Sequence, residues 1–433
     1  MMAFRSSAVG INVLNRLISL VGGASLILAV VFKLSLEMQG FYYTFYSLAF
    51  LRFFAELGLT TAVVQFISHL SATDGKSAKL AAYKRLFFIW FAVAGALLAL
   101  VLLPAIFLYK TQIDTMENGH RDVVLPWMFF CFATGLSVFV VGLTSIIEGH
   151  RRILAVSRLR LWVSLTNFGL AAVLIILGFE LWALPVAAGM SALIGLRLIT
   201  PHVDILSWKT STRPLPRVKW RKEIWPFQWR LAISWLTGFF IFYFLTPFVM
   251  YSHGPEDAGR LGLSLQVIQI INGIAILAVS TLSSVFGQLV AKGNYAELDR
   301  LFYRSTVQSF VFLAILIGTF WAIYCLLPFV GLDKLQDRLI PASSMGFLTL
   351  AAVGTHVFFL LNYYLRSFKE ETLWWVSATN AATTLVMSWL FIAEGGVAAA
   401  VAVFTFNSLI FWVVVGPVVV APRVRALKSE KAV

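Results

Sequence analysis

The stretch LFFIWFAVAGALLALVLLPAIFLY, residues 86–109, decides the class of fold to which this chain belongs. It runs for 24 residues without a charge, which is long enough for a helix to cross a bilayer core of about 30 Å. Its residues are apolar on every helical face, whereas a strand of a membrane barrel would alternate apolar and polar side chains. The run Thr372–Ala393 has the same character. Both stretches therefore predict membrane-spanning helices.

The composition of the whole chain agrees with this prediction. Of its 433 residues, 60% are hydrophobic and only 12% are charged. Soluble proteins carry roughly 25% charged residues, so a soluble or a disordered chain is excluded. The two cysteines, Cys131 and Cys325, each lie in an apolar run and form no CxxC motif. We expect both to be small buried hydrophobic residues.

Hydropathy divides the chain into twelve predicted spans. The first contains Asn15 and Arg16 and has no convincing signal-peptide cleavage site, so we expect it to be retained. The fifth and sixth spans meet at Phe179-Glu180-Leu181 with almost no loop between them. The approximate cores are residues 11–32, 41–68, 86–108, 124–147, 161–179, 181–199, 231–251, 261–289, 306–330, 340–365, 373–393 and 396–420.

The distribution of Lys and Arg predicts the orientation of these spans. With the N-terminus in the cytoplasm, 25 of the 34 Lys and Arg residues fall in inside segments, six in outside loops and three within spans. Cytoplasmic loops of membrane proteins carry such an excess. Both termini are therefore predicted to be cytoplasmic. The net charge of +14 is explained by topology and anionic lipid, and we expect no nucleic-acid partner.

Residues 205–230 separate the spans into two groups of six. This segment interleaves four tryptophans with seven basic residues and contains three prolines. Indoles and cations favour the headgroup region of a membrane, so we predict an amphipathic interfacial linker, with a regulatory lipid site as the alternative. The predicted domains are a six-helix bundle over 1–204, the linker 205–230, a second six-helix bundle over 231–422 and a basic cytoplasmic tail, 423–433.

No sequence feature points to an enzyme. No predicted loop outside the membrane is long enough for a soluble domain, and the chain lacks the GxxxxGK[ST] motif and any metal-spaced His/Cys cluster. We therefore expect no catalytic residues, no cofactor and no metal.

Two charges inside the second span are the first candidate site residues. Placing an ionised side chain at mid-bilayer costs roughly 2.5–3.5 kcal/mol on insertion scales. Arg52 and Glu56 have i, i+4 spacing, which puts them on one helix face and close enough to pair. They form either a structural ion pair or an anion contact at Arg52, with Glu56 tuning it or carrying a coupling proton.

Further polar residues lie within other spans. Arg16, beside Asn15, either faces a cavity or extends to the inner surface. In the eighth span the amides of Gln266, Gln269 and Asn272 follow at i+3 steps, and they face either water and sugar or a neighbouring helix. His356 in the tenth span is either a buried, hydrogen-bonded histidine or a proton relay.

Two stretches resemble a known transporter family. Gly40 opens the second span, Tyr46-Ser47-Leu48 follows, and Glu56-Leu57-Gly58-Leu59 lies beyond it; Glu148-Gly149-His150-Arg151 follows the fourth span. These motifs resemble the polysaccharide-biosynthesis (O-antigen-type) flippases of the multidrug/oligosaccharidyl-lipid/polysaccharide (MOP) exporter superfamily. The likeness in span order covers the whole chain, and the motif-level likeness is confined to these stretches.

The resemblance implies an all-α integral membrane protein with two six-helix bundles in an open, MATE-like V. Its substrate would be a polyprenyl-pyrophosphate-linked oligosaccharide, moved from the inner to the outer leaflet of the cell membrane for polysaccharide or lipopolysaccharide assembly. Its partners would be membrane lipids, a polysaccharide polymerase and other assembly proteins. Arg16 and Arg52 match the basic residues that relatives direct at the pyrophosphate. One departure is Gln65, where many relatives carry a basic residue.

Three other functions are alternatives to the flippase. A MATE-like ion-coupled drug exporter needs an unpaired carboxylate in its cavity, and the first, second, seventh and eighth spans offer Glu56 alone, with Arg52 beside it. A membrane enzyme would show carboxylate or histidine clusters in a long outside loop. A non-transporting scaffold predicts that Arg16, Arg52 and Glu56 can all be replaced without loss of function.

Overall fold

The computed structural model describes the chain except for residues 1, 74–77, 117, 208–215, 217, 369–370 and 431–433. Within its helices, the side chains of residues 2–9, 12, 13, 16, 72, 73, 226, 227 and 430 are also outside the described part. All regular structure among the described residues is helical, and no strand occurs there.

The α-helices of the first half follow the predicted spans, with several short breaks. They are Met2–Lys33, Leu36–Ala49, Arg52–Glu56, Leu59–Thr73, Ala78–Leu102, Lys110–Asp114, Leu125–Gly149, Ile153–Leu165, Ala171–Ile176, Ala183–Ile199, Val203–Leu206 and Trp220–Glu223. Short 3₁₀ or π segments join some of them, at Leu103–Tyr109, His120–Val124, Thr166–Leu170, Glu180–Trp182 and Thr200–His202.

The second half is built in the same way. Its α-helices are Trp225–Phe242, Leu245–His253, Pro255–Ala275, Leu277–Ser280, Ser283–Ala291, Tyr295–Leu326, Asp333–Gln336, Ala342–Ser367, Trp374–Asn407 and Gly416–Glu430. A 3₁₀ turn covers Pro328–Val330, and a π-helical segment, Ser408–Val415, continues into the last helix.

Helix starts are set by local polar residues where the apolar runs begin. The hydroxyl of Ser35 accepts a hydrogen bond from the backbone N–H of Met38 at 3.1 Å. Asn294 does the same for Glu297 at 3.3 Å, and its own amide donates to the Glu297 carboxylate at 2.6 Å. Such caps satisfy backbone N–H groups that have no partner inside the helix.

Each of the twelve predicted cores coincides with a helix or a broken helix, apart from up to three residues at its ends. Among the described residues, seven helical segments are long and apolar enough to cross a membrane, or nine if two pairs bent by 40° each count as one span. The longest, Trp374–Ser429, holds the last two predicted spans, separated where Gly396 leaves the helical conformation with φ 55°. The hydropathy pattern does not predict the breaks.

The chain forms two compact units, Met1–Leu236 and Thr237–Val433. The boundary thus lies beyond the predicted linker 205–230, much of which is outside the described residues. The described end of that segment is tied to the first unit. Tyr83 donates a hydrogen bond to Glu223 at 2.6 Å, Lys79 forms an ion pair with the same carboxylate at 3.2 Å, and Trp220 stacks on Trp90. Its position in the headgroup plane remains a prediction.

Close helix packing in the first unit depends on two glycines. The helices Ala78–Leu102 and Leu125–Gly149 meet where Gly95 faces the carbonyl oxygen of Gly135 and Gly135 faces that of Gly95. A side chain on either glycine would collide with the other backbone, so these positions allow the close approach typical of membrane helices. Nearby, the indole N–H of Trp127 donates to the Leu102 carbonyl at 3.1 Å.

In the second unit, the carboxylate of Asp299 joins three helices. Tyr364 donates to one of its oxygens at 2.5 Å, and Lys428 forms an ion pair with the other at 2.5 Å. The last helix, Gly416–Glu430, is thereby fastened to Tyr295–Leu326 and Ala342–Ser367.

The prediction that both cysteines are buried is right for Cys131 and wrong for Cys325, which is exposed. Cys325 lies near the end of the helix Tyr295–Leu326. Only 17% of the most apolar stretch of this helix is buried within the protein. Hydropathy alone does not separate a side chain that faces lipid from one that faces a neighbouring helix.

The cytoplasmic position of both termini is open to a direct test. In a chain with Cys131 and Cys325 replaced by alanine, we expect Lys334→Cys to react with a membrane-impermeant maleimide in intact cells. Ser429→Cys should react only after the cells are permeabilised. Both positions are exposed, so accessibility reports the side of the membrane. The opposite labelling pattern would contradict the predicted orientation.

Candidate functional site

The second span breaks beside the residues that carry the family resemblance. Leu57 and Gly58 both adopt left-handed backbone conformations, with φ 45° and 67°. The two helical pieces on either side, Leu36–Glu56 and Leu59–Ser71, are bent by 40°. Left-handed conformations are easiest for glycine, so the Leu57-Gly58 step is the place where this apolar run can turn.

The helix Trp225–Phe242 covers the break. The amide of Gln228, which is 1% exposed, donates to the carbonyl of Leu57 at 3.5 Å. Leu231 lies so close to Gly58 that a Cβ there would come within 2.8 Å of its side chain. A carbonyl released by the break thus obtains a hydrogen bond inside the protein, as a buried backbone group requires.

Arg52 lies one turn before the break and is half-buried. Its guanidinium carbon is 5.3 Å from the ring centroid of Phe50 and 5.8 Å from that of Phe53. Its Nε atom is buried and has no hydrogen-bond partner among the described residues. Phe53 is held in turn by an edge-to-face contact with Trp235 at 5.0 Å. Aromatic rings therefore surround part of this cation within an apolar span.

Glu56 is the last residue of the helix before the break and is 6% exposed. In the described part of the chain its carboxylate makes no hydrogen bond and no ion pair within 4.0 Å, so the structural ion pair with Arg52, one of the two predicted alternatives, does not form. The spacing brings two Cβ atoms near each other, but the Arg52 guanidinium lies against aromatic rings instead. Arg52 is near enough to act on Glu56 electrostatically, but among the described residues neither charge has a partner of opposite sign within 4.0 Å.

Asn15 and Arg16 lie in the first helix, Met2–Lys33. Asn15 is half-buried, and its side-chain oxygen is buried without a hydrogen-bond partner in the described residues. The side chain of Arg16 lies outside the described residues, so its direction remains a prediction. No hydrogen bond or ion pair in the described part of the chain joins Asn15 to Arg52 or Glu56.

In the second unit, His356 is fully buried between polar partners. Its Nε2 lies 2.7 Å from the hydroxyl of Ser309, and its Nδ1 lies 3.2 Å from the side-chain oxygen of Asn272. Phe310 contacts the imidazole edge-to-face at 5.0 Å. The structure thus has the buried, hydrogen-bonded histidine that is one of the two alternatives predicted from the sequence.

The hydrogen-bond partners limit the proton positions in this cluster. When the Ser309 hydroxyl donates to the carbonyl of Ala275 at 2.8 Å, it accepts from Nε2 of His356; when Nε2 carries no proton, the hydroxyl donates to Nε2 instead. If Nδ1 is protonated, it donates to the Asn272 oxygen. If Nδ1 is unprotonated, it needs the Asn272 amide nitrogen, which otherwise has no partner among the described residues. Both neutral tautomers of His356 can therefore be satisfied, and only the one protonated at Nε2 requires rotation of the Asn272 amide.

The predicted polar stripe of the eighth span does not form one face. Asn272 is 1% exposed and bonded to the tenth span, whereas Gln266 and Gln269 are half-buried and make no side-chain hydrogen bond in the described structure. Each i+3 step turns about 60° around a helix of 3.6 residues per turn, so Gln266 and Asn272 point about 120° apart. Gln266 and Gln269 keep their proposed role facing water or sugar, and Asn272 has the helix-contact role.

Three residues that matter for this structure cannot be identified from the sequence pattern. Gln228 forms a hydrogen bond with Leu57, 171 positions away, and Ser309 forms one with His356, 47 positions away. No local sequence pattern reveals these contacts. Lys84 is 8% exposed, although its place in the sequence is that of a loop charge. Within the described residues, no group of three or more His, Cys, Asp or Glu side chains is placed to hold a metal ion.

Comparison with known proteins gives a match at the level of structure only. No family model and no curated protein sequence matches the chain. The inward-facing structure of a multidrug resistance MATE family transporter of the MOP superfamily superposes with a TM-score of 0.68 at 16% identity, over 98% of each chain. This chain has the MATE fold. The predicted fold class, an all-helical membrane protein of twelve spans with MATE-like architecture, is therefore confirmed.

Two further structures show how widely the MATE fold covers this chain. A ligand-bound structure of the MATE multidrug transporter DinF-BH gives a TM-score of 0.64 at 11% identity, over 98% of this chain and 96% of that chain. A MOP superfamily transporter from Pyrococcus furiosus gives 0.56 at 14% identity, over 98% of this chain and 94% of that chain. At these identities the likeness concerns the fold.

The break in the second span should depend on Gly58. We expect Gly58→Ala to cost about 1–3 kcal/mol, because alanine is strained at this backbone conformation and its Cβ would meet Leu231. The measurement is the apparent unfolding temperature in detergent. Gly238→Ala is the control, since Gly238 has open space around its α-carbon. Equal unfolding temperatures for the two variants would contradict this role of Gly58.

The His356 cluster should stabilise the second unit. We expect Ser309→Ala to cost about 1–2 kcal/mol, because it leaves the Nε2 of His356 buried without a hydrogen-bond partner. Ser305→Ala is the matched control: Ser305 is equally buried on the same helix but bonds only to the local Phe302 carbonyl. The apparent unfolding temperature is again the measurement. A larger loss at Ser305 than at Ser309 would argue against the cluster.

Proposed function

We propose that this chain is a membrane transporter that flips a polyprenyl-pyrophosphate-linked oligosaccharide from the inner to the outer leaflet by alternating access. The observation that carries this proposal is Arg52, a half-buried cation inside a broken apolar span whose Nε has no hydrogen-bond partner and which has no carboxylate within ion-pair distance in the described structure. We place the protein in the cell membrane, where such carriers are assembled. Polymerases and other assembly proteins are its proposed partners.

The surroundings of Arg52 suit a phosphate ligand. A charge inside a span costs roughly 2.5–3.5 kcal/mol on insertion scales, so an arginine that makes no direct ion pair points to a ligand that supplies a closer counter-ion. The contacts with Phe50 and Phe53 fall in the range of cation–π interactions. They leave N–H donors of the guanidinium available, and its planar fork fits phosphate oxygens.

The fold supports transport and accommodates binding sites of different character. The MATE structures compared above belong to multidrug transporters, whereas the structure of the Pyrococcus furiosus MOP transporter is described as having a binding pocket of reverse polarity that suggests a different function. A site built around the cation of Arg52 is consistent with an anionic substrate. Arg16, Asn15, Gln266 and Gln269 are further proposed contacts for the pyrophosphate and the sugars.

One observation favours the alternative, a MATE-like ion-coupled exporter. Glu56 is buried and has no cationic partner within ion-pair distance in the described residues. A carboxylate of this kind can bind a coupling proton or a cationic substrate. In the flippase, Glu56 would serve the coupling role; in the exporter, it would be the main substrate contact.

The two functions are separated by substitutions at Arg52 and Glu56 in cells that lack the protein. If the chain is a flippase, Arg52→Gln should reduce outer-leaflet oligosaccharide, measured with an outside-acting glycosidase, by on the order of 10- to 100-fold, the loss of a charge-assisted hydrogen bond. Arg52→Lys should retain part of the activity. Arg197→Gln is the control, because Arg197 lies exposed near a helix end and bonds to Thr200.

The contrary results are specific. Normal outer-leaflet display in the deletion strain would reject the flippase. Loss of drug efflux in Glu56→Gln, with efflux intact in Arg52→Gln, would then support the exporter. Display that is lost in the deletion but intact in Arg52→Gln would keep the flippase function and remove Arg52 from the substrate path.

A further inference from the structure

A basic pocket lies on the first unit, away from the second span. It has a volume of about 420 Å³ and is lined by Arg151, Arg152 and Arg158 together with His202 and apolar side chains that include Ile153. The pocket lies between the start of the helix Ile153–Leu165 and the end of the sixth span. Loop charges place this region on the predicted cytoplasmic side of the membrane.

The three arginines of this pocket form no ion pair within the described part of the chain. All three are exposed. The nearest acid in the sequence, Glu148, is already bound by Arg160 at 2.5 Å. Unpaired cations around one concave surface create a positive potential that attracts anions.

The positive charges near the pocket also affect the pKa of a neighbouring histidine. His150 lies in the turn just before the pocket, with its Nδ1 2.9 Å from the Ile146 carbonyl. Burial lowers the pKa of His150, and the charges of Lys84 and Arg152 lower it further, against the opposing effect of that hydrogen bond. The field of the basic residues therefore reaches beyond the pocket's own side chains.

The apolar part of the pocket distinguishes between possible anions. Ile153 is 53% exposed beside Arg152, and Leu198 also lines the pocket, from the sixth span. A soluble anion such as phosphate would make no favourable contact with this apolar surface. A phospholipid presents a phosphate next to hydrocarbon, at the depth where helices leave the membrane, and basic pockets on the cytoplasmic side of membrane helices suit such headgroups.

We propose that this pocket binds the phosphodiester headgroup of an anionic membrane phospholipid. Arg151, Arg152 and Arg158 hold the phosphate, and Ile153 and Leu198 contact the first part of the acyl chains. The lipid is a bound ligand of the first unit, separate from the proposed transport substrate.

The test measures lipid binding to the purified full chain in neutral detergent by native mass spectrometry. The probes are phosphatidylglycerol, phosphatidylcholine and inorganic phosphate. Each arginine near a membrane surface contributes about fivefold in affinity, so Arg152→Gln/Arg158→Gln should weaken phosphatidylglycerol binding roughly 25-fold. Arg85→Gln/Arg221→Gln removes the same charge from exposed positions outside the pocket and should bind as the wild type does.

Several results would overturn the proposal. Equal weakening in both double variants would assign binding to general surface charge. Phosphatidylcholine binding as tightly as phosphatidylglycerol would exclude recognition of a net anionic headgroup. Competition by inorganic phosphate at the same concentrations as lipid would make this a soluble-anion site. If the Gln variants do not fold, Arg152→Lys/Arg158→Lys keeps the charge and must retain most of the phosphatidylglycerol affinity.

Discussion

The structure depends on one constraint: inside a bilayer, every backbone N–H and C=O group must find its partner within the protein. Uninterrupted helices meet this requirement by themselves. Each interruption needs a separate solution, and Gln228, which donates to the Leu57 carbonyl across 171 residues, is one of them. Ser309 has a similar part in the second unit, where it donates to the Ala275 carbonyl just before the break at Ile276. At both of these breaks, a residue that is distant in the sequence therefore supplies a hydrogen bond to a backbone carbonyl.

The parts of the fold that could be predicted from the sequence are those governed by transfer free energy. A run such as residues 86–109 must be removed from water whatever its neighbours are, so its helix follows directly from its composition. The break at Leu57-Gly58 cannot be predicted in this way. Both residues are apolar or small, and the mean hydropathy of a span carries no information about a positive φ at one residue. The pairing of His356 with Ser309 cannot be predicted for another reason, since the contact depends on how two helices pack.

The charged residues show the same division. Their distribution among loops predicts an orientation for every span, because that prediction needs only position in the sequence. Their direct contacts do not follow from spacing: Arg52 and Glu56 are one helical turn apart and form no ion pair within 4.0 Å, while Lys428 reaches Asp299 across 129 residues. Exposed ion pairs are worth at most about 1 kcal/mol. The cations that have partners thus mainly fix how helix ends are arranged, and the proposed ligand contacts use cations that form no ion pair in the described structure.

The Asp299 cluster bears on how the chain is handled in the laboratory. Lys428 lies close to the end of the sequence, yet its ammonium shares a carboxylate with Tyr364 in the body of the second unit. An affinity tag or fluorescent reporter should therefore be joined beyond residue 430 through a flexible spacer, so that the ion pair between Lys428 and Asp299 can form. Trimming the tail to improve expression would remove Lys428 and leave the carboxylate of Asp299 with the tyrosine alone.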